Sequence, residues 1–186
     1  YVTANISSPN TPGLRGLQER DALEDLLGRM REVRVLLTEA HGRRPLFLKV
    51  APDLDETAIG DIAELAIANG LDALIVSNTT LQRPEHLTSD NREEQGGLSG
   101  QPLFQISTHT LRLFAQAVAG RMPLIGVGGI ENGLTAFAKI KAGASAVTLD
   151  FGSVRQGSLA PTRILTVSNT GDAALFGSNG IDALNY

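Results

Sequence analysis

Five short stretches of this chain concentrate groups that can do chemistry. The first, Asn5-Ile6-Ser7-Ser8-Pro9-Asn10-Thr11-Pro12-Gly13, runs off a short apolar strand and packs two amides and three hydroxyls into seven residues. Its prolines and glycine punctuate a rigid turn and loop. Asn5, Ser8 and Asn10 can therefore be held around a small polar ligand, although each alone also suits a turn whose side chains satisfy their own backbone. The second is Lys49, inside the otherwise apolar run Pro45-Leu46-Phe47-Leu48-Lys49-Val50. An unpaired buried ammonium costs several kcal/mol, so Lys49 either meets an anionic or strongly accepting partner or snorkels to solvent from the strand's end.

The third stretch, Asn78-Thr79-Thr80, offers neutral donors and acceptors, and is otherwise a turn or a cap. The last two, Gly96-Gly97-Leu98-Ser99-Gly100 and Val127-Gly128-Gly129-Ile130, have the composition of backbone that must approach something closely. Glycine there exposes N–H groups, which suits a phosphate. His41, His86 and His109 have neither ligand spacing nor a nearby acid cluster, so no metal is assigned.

The elements that must position these groups follow from periodicity. Leu23, Leu26, Leu27, Met30, Val33, Leu37 and Ala40 recur at helical steps. Further helices are expected after Asp53 or Asp55 up to Asn69-Gly70, through Leu111, Phe114 and Val118 to Gly120, and over Ala136, Phe137 and Ile140 to Gly143. Strands are expected at Tyr1–Ile6, Pro45–Val50, Ala73–Ser77, Leu124–Val127 and Ala146–Leu149, each continuous enough for a parallel strand covered on both faces. Residues 82–95 read as a long polar surface excursion. Alternating strands and helices call for right-handed parallel units, hence a doubly wound sheet or a (β/α) barrel. Both carry ligands past the strands' C-terminal ends.

Composition narrows the class. With 186 residues, 42% hydrophobic, no cysteine and a formal charge of −4, the chain reads as a globular α/β protein with no disulfides and no footprint for nucleic acid. No run approaches the ~20 apolar residues of a membrane span, and a cytoplasmic setting is expected. Starting at Tyr1, directly on a strand, the chain reads as a fragment or a processed form.

The opening run, extended by Leu14-Arg15-Gly16-Leu17-Gln18, resembles the active-site loop of class 2, quinone-linked dihydroorotate dehydrogenases, N-I-S-S-P-N-T-P-G-L-R-x-L-Q. Class 1 enzymes are expected to carry cysteine at the position of Ser8. Lys49-Val50-Ala51-Pro52-Asp53-Leu54, Asn78-Thr79-Thr80 and both glycine motifs fit the same family in order, over residues 1–149. The resemblance implies a partial TIM (β/α) barrel of about five parallel strands that binds flavin mononucleotide (FMN) and oxidises dihydroorotate to orotate in pyrimidine synthesis, with quinone as acceptor. It implies Ser8 as the base taking a proton from C5 while hydride leaves C6, and Thr11 as relay. It also implies Asn5, Asn10, Asn78 and Thr79 on the substrate, and Asn5, Lys49, Ser77, Gly100, Gly128 and Gly129 on FMN.

Two departures qualify that expectation. Tyr1–Ile6 corresponds to the family's fourth strand, so three strands and the N-terminal segment giving quinone access and peripheral membrane association are expected to be missing. Open sheet edges would then favour self-association. After Leu149 the family expects tyrosine, serine or threonine, and glycine, whereas this chain has Asp150-Phe151-Gly152. Residues 150–186 instead resemble the opening of a Hydin-type immunoglobulin-like repeat, an incomplete C-terminal β segment. The competing expectation is a non-enzymatic fragment or fusion that self-associates or serves as an interaction module.

Overall fold

The computed structural model describes residues 1–148. Five strands form one parallel sheet: β1 (Val2–Asn5), β2 (Leu46–Val50), β3 (Ala73–Val76), β4 (Leu124–Gly126) and β5 (Ala146–Val147). Between them run α1 (Arg20–His41), α2 (Glu56–Ala68), α3 (Leu103–Val118) and α4 (Gly133–Lys141), and a 3₁₀ turn at Leu14–Gln18 precedes α1. Each strand pairs with the next one in the chain, in the order β1-β2-β3-β4-β5. A doubly wound sheet reverses its strand order at a switch point. This sheet does not reverse, so it is an arc of a (β/α) barrel, as expected.

The helices lie side by side on one face of the sheet, α1 against α2, α2 against α3 and α3 against α4. Leu46, Leu48 and Val50 of β2, Leu74 and Val76 of β3, and Leu124 of β4 point into this layer. There they meet Leu23, Leu27, Ile59, Ile62, Leu111 and Phe114, all buried. Burying each such side chain contributes about 1.5–3 kcal/mol. The opposite face alternates with the first: Phe47 and Lys49 on β2 and Ile75 on β3 are only half-buried. Coverage of both faces, expected from the apolar strands, is thus absent among the described residues. Tyr1 stacks on Phe47 there, ring centroids 4.9 Å apart.

Local chemistry sets the helix ends. Asp55, not Asp53, caps α2 by accepting from the Ala58 N–H (2.8 Å). Asn132 and Thr135 form a reciprocal capping box on α4. The apolar stripe of α1 is buried only at its first half. Val33 and Leu37 are exposed and line an apolar hollow of about 440 Å³ with Val2, Met30 and Leu46 at the sheet's N-terminal end. Phe137, expected on the apolar side of α4, is also exposed, with Lys141 over its ring.

One charged cluster closes the N-terminal end. Asp72 accepts from Arg34, Arg43 and the Leu46 N–H (2.8 Å), while Arg34 also donates to the Gly70 carbonyl. Burial raises the Asp72 carboxyl, but the Leu46 N–H and the two guanidiniums outweigh it and hold the group below its ordinary value. No helix among the described residues is long and apolar enough to cross a membrane. The β segment expected from Asp150, and Asp150 itself, lie outside the described residues.

Candidate functional site

Strand register gathers the chemistry at the sheet's C-terminal end. Asn5 is the β1 partner of Lys49, Lys49 is the β2 partner of Ile75, and Val76 is the β3 partner of Gly126. The residues that follow these strands therefore emerge together. They enclose a cavity of about 390 Å³ whose wall includes Lys49, Ser77, Asn78, Thr79, Gly100, Gly128 and Gly129. Seven of the eleven expected site residues thus share one hollow, within the ~300–1,000 Å³ typical of ligand pockets. Ser99, Gln101 and Glu131 also line it. Lys49 makes no ion pair among the described residues, so its charge is open to the cavity.

The opening loop joins this hollow from the side. Asn78 Nδ2 donates to Ser7 Oγ (3.0 Å) and to Asn5 Oδ1 (3.4 Å), and Ser7 Oγ donates to Asn5 Oδ1 (2.7 Å). Asn5 and Asn78 are thereby oriented by each other and by the buried Ser7. Ser8, half-buried, accepts from the Asn10 N–H (3.3 Å) and from Thr11 Oγ1 (3.4 Å). Asn5, Ser8, Asn10 and Thr11 do not line the main cavity. Asn10 borders a neighbouring hollow of about 620 Å³ with Pro9, Leu81, Arg83 and residues 93–96.

The glycines approach protein, which the sequence pattern does not reveal. A Cβ on Gly97 would lie 1.9 Å from Thr79 Oγ1 and 3.0 Å from Pro9, so Gly97 lets the opening loop and the Asn78–Thr80 loop meet. A Cβ on Gly129 would lie 2.6 Å from the Phe104 Cα, and one on Gly128 would lie 2.9 Å from Leu103. Both have positive φ, 70° and 102°. This tight fit seats the Gly128–Gly129 turn on the first turn of α3 and leaves its other side to the cavity.

Sequence reasoning also missed the residues that clamp the loops together. Arg15 donates to the Ser7 carbonyl (3.2 Å), to Asp53 (2.8 Å) and to the Thr79 carbonyl (3.0 Å). Asp53 in turn accepts from Thr80 Oγ1, the Leu81 N–H (3.0 Å) and Gln82 (3.4 Å). Gln18, buried behind them, accepts from the Ala51 N–H (2.8 Å). Three loops are thus tied through one guanidinium and one carboxylate. A charge of each sign inside a loop motif was the available signal. In the 82–95 excursion, Arg83 donates to the carbonyls of Leu81, Gln82, Arg92, Glu94 and Gly96. An isolated antiparallel bridge between Thr80 and Leu98 closes the excursion's base.

The family model for dihydroorotate dehydrogenase matches residues 1–167, across the boundary expected at Leu149. The likeness of residues 150–186 to an immunoglobulin-like repeat finds no support in that match or in the curated relatives. Dihydroorotate dehydrogenase (quinone) of Xanthobacter autotrophicus is 49% identical over 167 residues, which are 89% of this chain and 47% of the relative. The enzyme of the same name from Parvibaculum lavamentivorans is 52% identical over 149 residues, 80% of this chain and 41% of the relative. Among solved structures, Eimeria tenella DHODH in complex with ferulenol superposes with a TM-score of 0.75 at 42% identity, covering 80% of this chain and 43% of that one. The ligand-free Eimeria tenella enzyme gives 0.73 at 44% identity. The chain thus spans less than half the length of these relatives, and in sequence and fold it belongs to the dihydroorotate dehydrogenase family.

Proposed function

We propose that this chain carries the FMN- and pyrimidine-facing part of a quinone-linked dihydroorotate dehydrogenase. The observation that carries the reading is the one cavity in which Lys49, without an ion pair among the described residues, the Asn78–Thr79 pair and the Gly128–Gly129 turn share a wall. The donor set fits FMN: a cation at the end of β2 suits an electron-rich ring, and the glycine turn with Gly100 suits a phosphate. FMN, when bound, accepts the hydride.

The protein's own residues would then bind, orient and move a proton. Asn5, Asn10, Asn78 and Thr79 supply neutral hydrogen-bonding groups for the rim of a dihydroorotate ring. Lys49 favours negative charge next to it. Ser8 is the base. As its oxygen takes the C5 proton, its own hydroxyl proton must pass to Thr11 Oγ1, reversing the 3.4 Å hydrogen bond between them. Thr11 is exposed and can pass the proton to water. A free hydroxyl is a weak base, so this step requires the opening loop to exclude water over the substrate.

Purified chain is expected to retain yellow FMN and to reduce a dye acceptor with dihydroorotate, and Ser8→Ala is expected to remove the oxidation while keeping the colour. A colourless preparation that restores neither on adding FMN would overturn the reading. A cytoplasmic setting belongs to the same proposal, whereas quinone as acceptor and peripheral membrane association are proposed for the parent family through an N-terminal segment that lies outside this chain's matched motifs. A second reading, self-association through the sheet edge, is favoured by exposed Val2 on β1 and exposed Tyr1 just before it. Sedimentation of a monodisperse monomer would count against it.

A further inference from the structure

Lys139 of α4 is fully buried and has no carboxylate partner among the described residues. Its Nζ donates to Ser107 Oγ (2.6 Å) and to the Val127 carbonyl (3.3 Å), and stands 5.3 Å from the centroid of the Phe104 ring. Ser107 shares its single proton among the carbonyls of Leu103 (2.9 Å), Gly128 (3.2 Å) and Phe104 (3.3 Å). The ammonium therefore sits beneath the glycine turn and is bonded to it directly and through one hydroxyl.

This has a geometric result. The Gly128–Gly129 peptide is trans, the described chain's cis bond being elsewhere, and a trans peptide aims its C=O and N–H in opposite directions. With the Gly128 carbonyl turned down to Ser107, the Gly129 N–H points away from α3. No acceptor among the described residues takes that N–H, and Gly129 lines the cavity.

We propose that Lys139 is a positioning residue for the anion-binding turn: it fixes the Val127–Gly129 backbone from below and sets a positive charge behind the N–H that meets the ligand's phosphate. The proposal rests on the reading of this cavity as a flavin nucleotide site. An uncompensated buried ammonium is otherwise a liability, and a phosphate on the far side of the turn supplies the negative charge that the described residues do not. Among the described residues the groups facing Lys139 are neutral: the Ser107 hydroxyl and Phe104 ring from α3, the Gly126 backbone of β4 and the Val127 carbonyl just after it. The charged residues of the cavity beyond are Lys49 and Glu131. Burial alone pushes the Lys139 ammonium down to about 7, so its charge weakens as pH rises through neutrality.

The test is equilibrium binding of FMN and of riboflavin, which differ in the phosphate, to the full chain and to Lys139→Met, with thermal unfolding and inorganic phosphate as a second probe. The variant is expected to unfold no earlier than wild type, since an apolar side chain of similar length replaces an unpaired charge. Its preference for FMN over riboflavin should fall by about tenfold. In wild type that preference should decline between pH ~7 and ~8.5, where a phosphate with a second pKa near ~6 is almost wholly a dianion, and stay flat in the variant. Ser107→Ala, which keeps the charge and its direct bond to Val127 but removes the hydroxyl link to Gly128, should lose about threefold and decides the matter if Lys139→Met does not fold. A folded variant with unchanged preference overturns the role of Lys139 and leaves the flavin reading standing. Stabilisation by inorganic phosphate that depends on Lys139, without flavin binding, would uphold the role and overturn the flavin reading. No stabilisation by either ligand overturns both.

Discussion

The two ends of the sheet each carry an aspartate gripped by arginine, and their partners differ in kind. At the N-terminal end, Asp72 is held by Arg34 of α1, by Arg43 from the turn before β2 and by the first N–H of β2. Every partner belongs to the frame or abuts it. At the C-terminal end, Asp53 is held by Arg15, Thr80, Leu81 and Gln82, all outside the strands and long helices. The same pairing chemistry fastens the architecture at one end and sets the posture of the site's loops at the other. That is the division expected of a (β/α) barrel, where stability is concentrated at one face and chemistry at the other.

The comparison can be broken in four ways, from the largest expected effect downward. Gly129→Ala sets a methyl group against the backbone of Phe104, which cannot rotate aside, and should cost about 3 kcal/mol in urea unfolding while weakening FMN retention. Asp72→Asn should cost about 2 kcal/mol by leaving two guanidiniums without their anion, with flavin and orotate binding unchanged. The folded-state pKa of Asp72 is depressed, so its contribution is present above the unfolded value near ~3.9 and is lost as pH falls through the folded value. The stability gap between wild type and Asp72→Asn should therefore close below pH ~4.

Arg15→Met should cost only about 1 kcal/mol, because the pair is partly solvated, yet it should weaken orotate or FMN binding about tenfold. If Arg15→Met destabilises as much as Asp72→Asn, or if Asp72→Asn impairs binding, the assignment of one cluster to frame and one to site fails. The smallest effect tests the frame alone. Gly28→Ala on α1, where a Cβ meets nothing within 4 Å, should add about 0.5–1 kcal/mol and leave binding untouched.

Most of the frame was legible in the chain. Helical steps and continuous apolar strands located all five strands and four helices, because those patterns record burial directly. Periodicity alone did not choose between barrel and doubly wound sheet, since both need the same βα units and only strand order separates them; the motif resemblance pointed to the barrel that the strand order shows. Likewise, Leu37 and Phe137 have the right spacing for a core, and spacing says nothing about how far a neighbouring layer extends. In the site, Lys49, Asn78 and the glycine pairs stood out because a cation or a flexible backbone is unusual at a strand's end. Arg15, Asp53 and Lys139 did not, because Arg15 lies 38 residues from Asp53 and 64 from Thr79, and Lys139 lies 32 from Ser107.

The grip of Arg83 on five carbonyls also governs how this surface can change. The excursion from Gln82 to Gln95 has no core of its own and folds around one guanidinium, through contacts that read backbone and ignore side-chain identity. Its acidic tip at Asp90, Glu93 and Glu94 is therefore free to drift toward whatever a partner or solvent rewards. Loss of the single cation would instead release the whole excursion at once, and with it the approach of Gly96 to the opening loop.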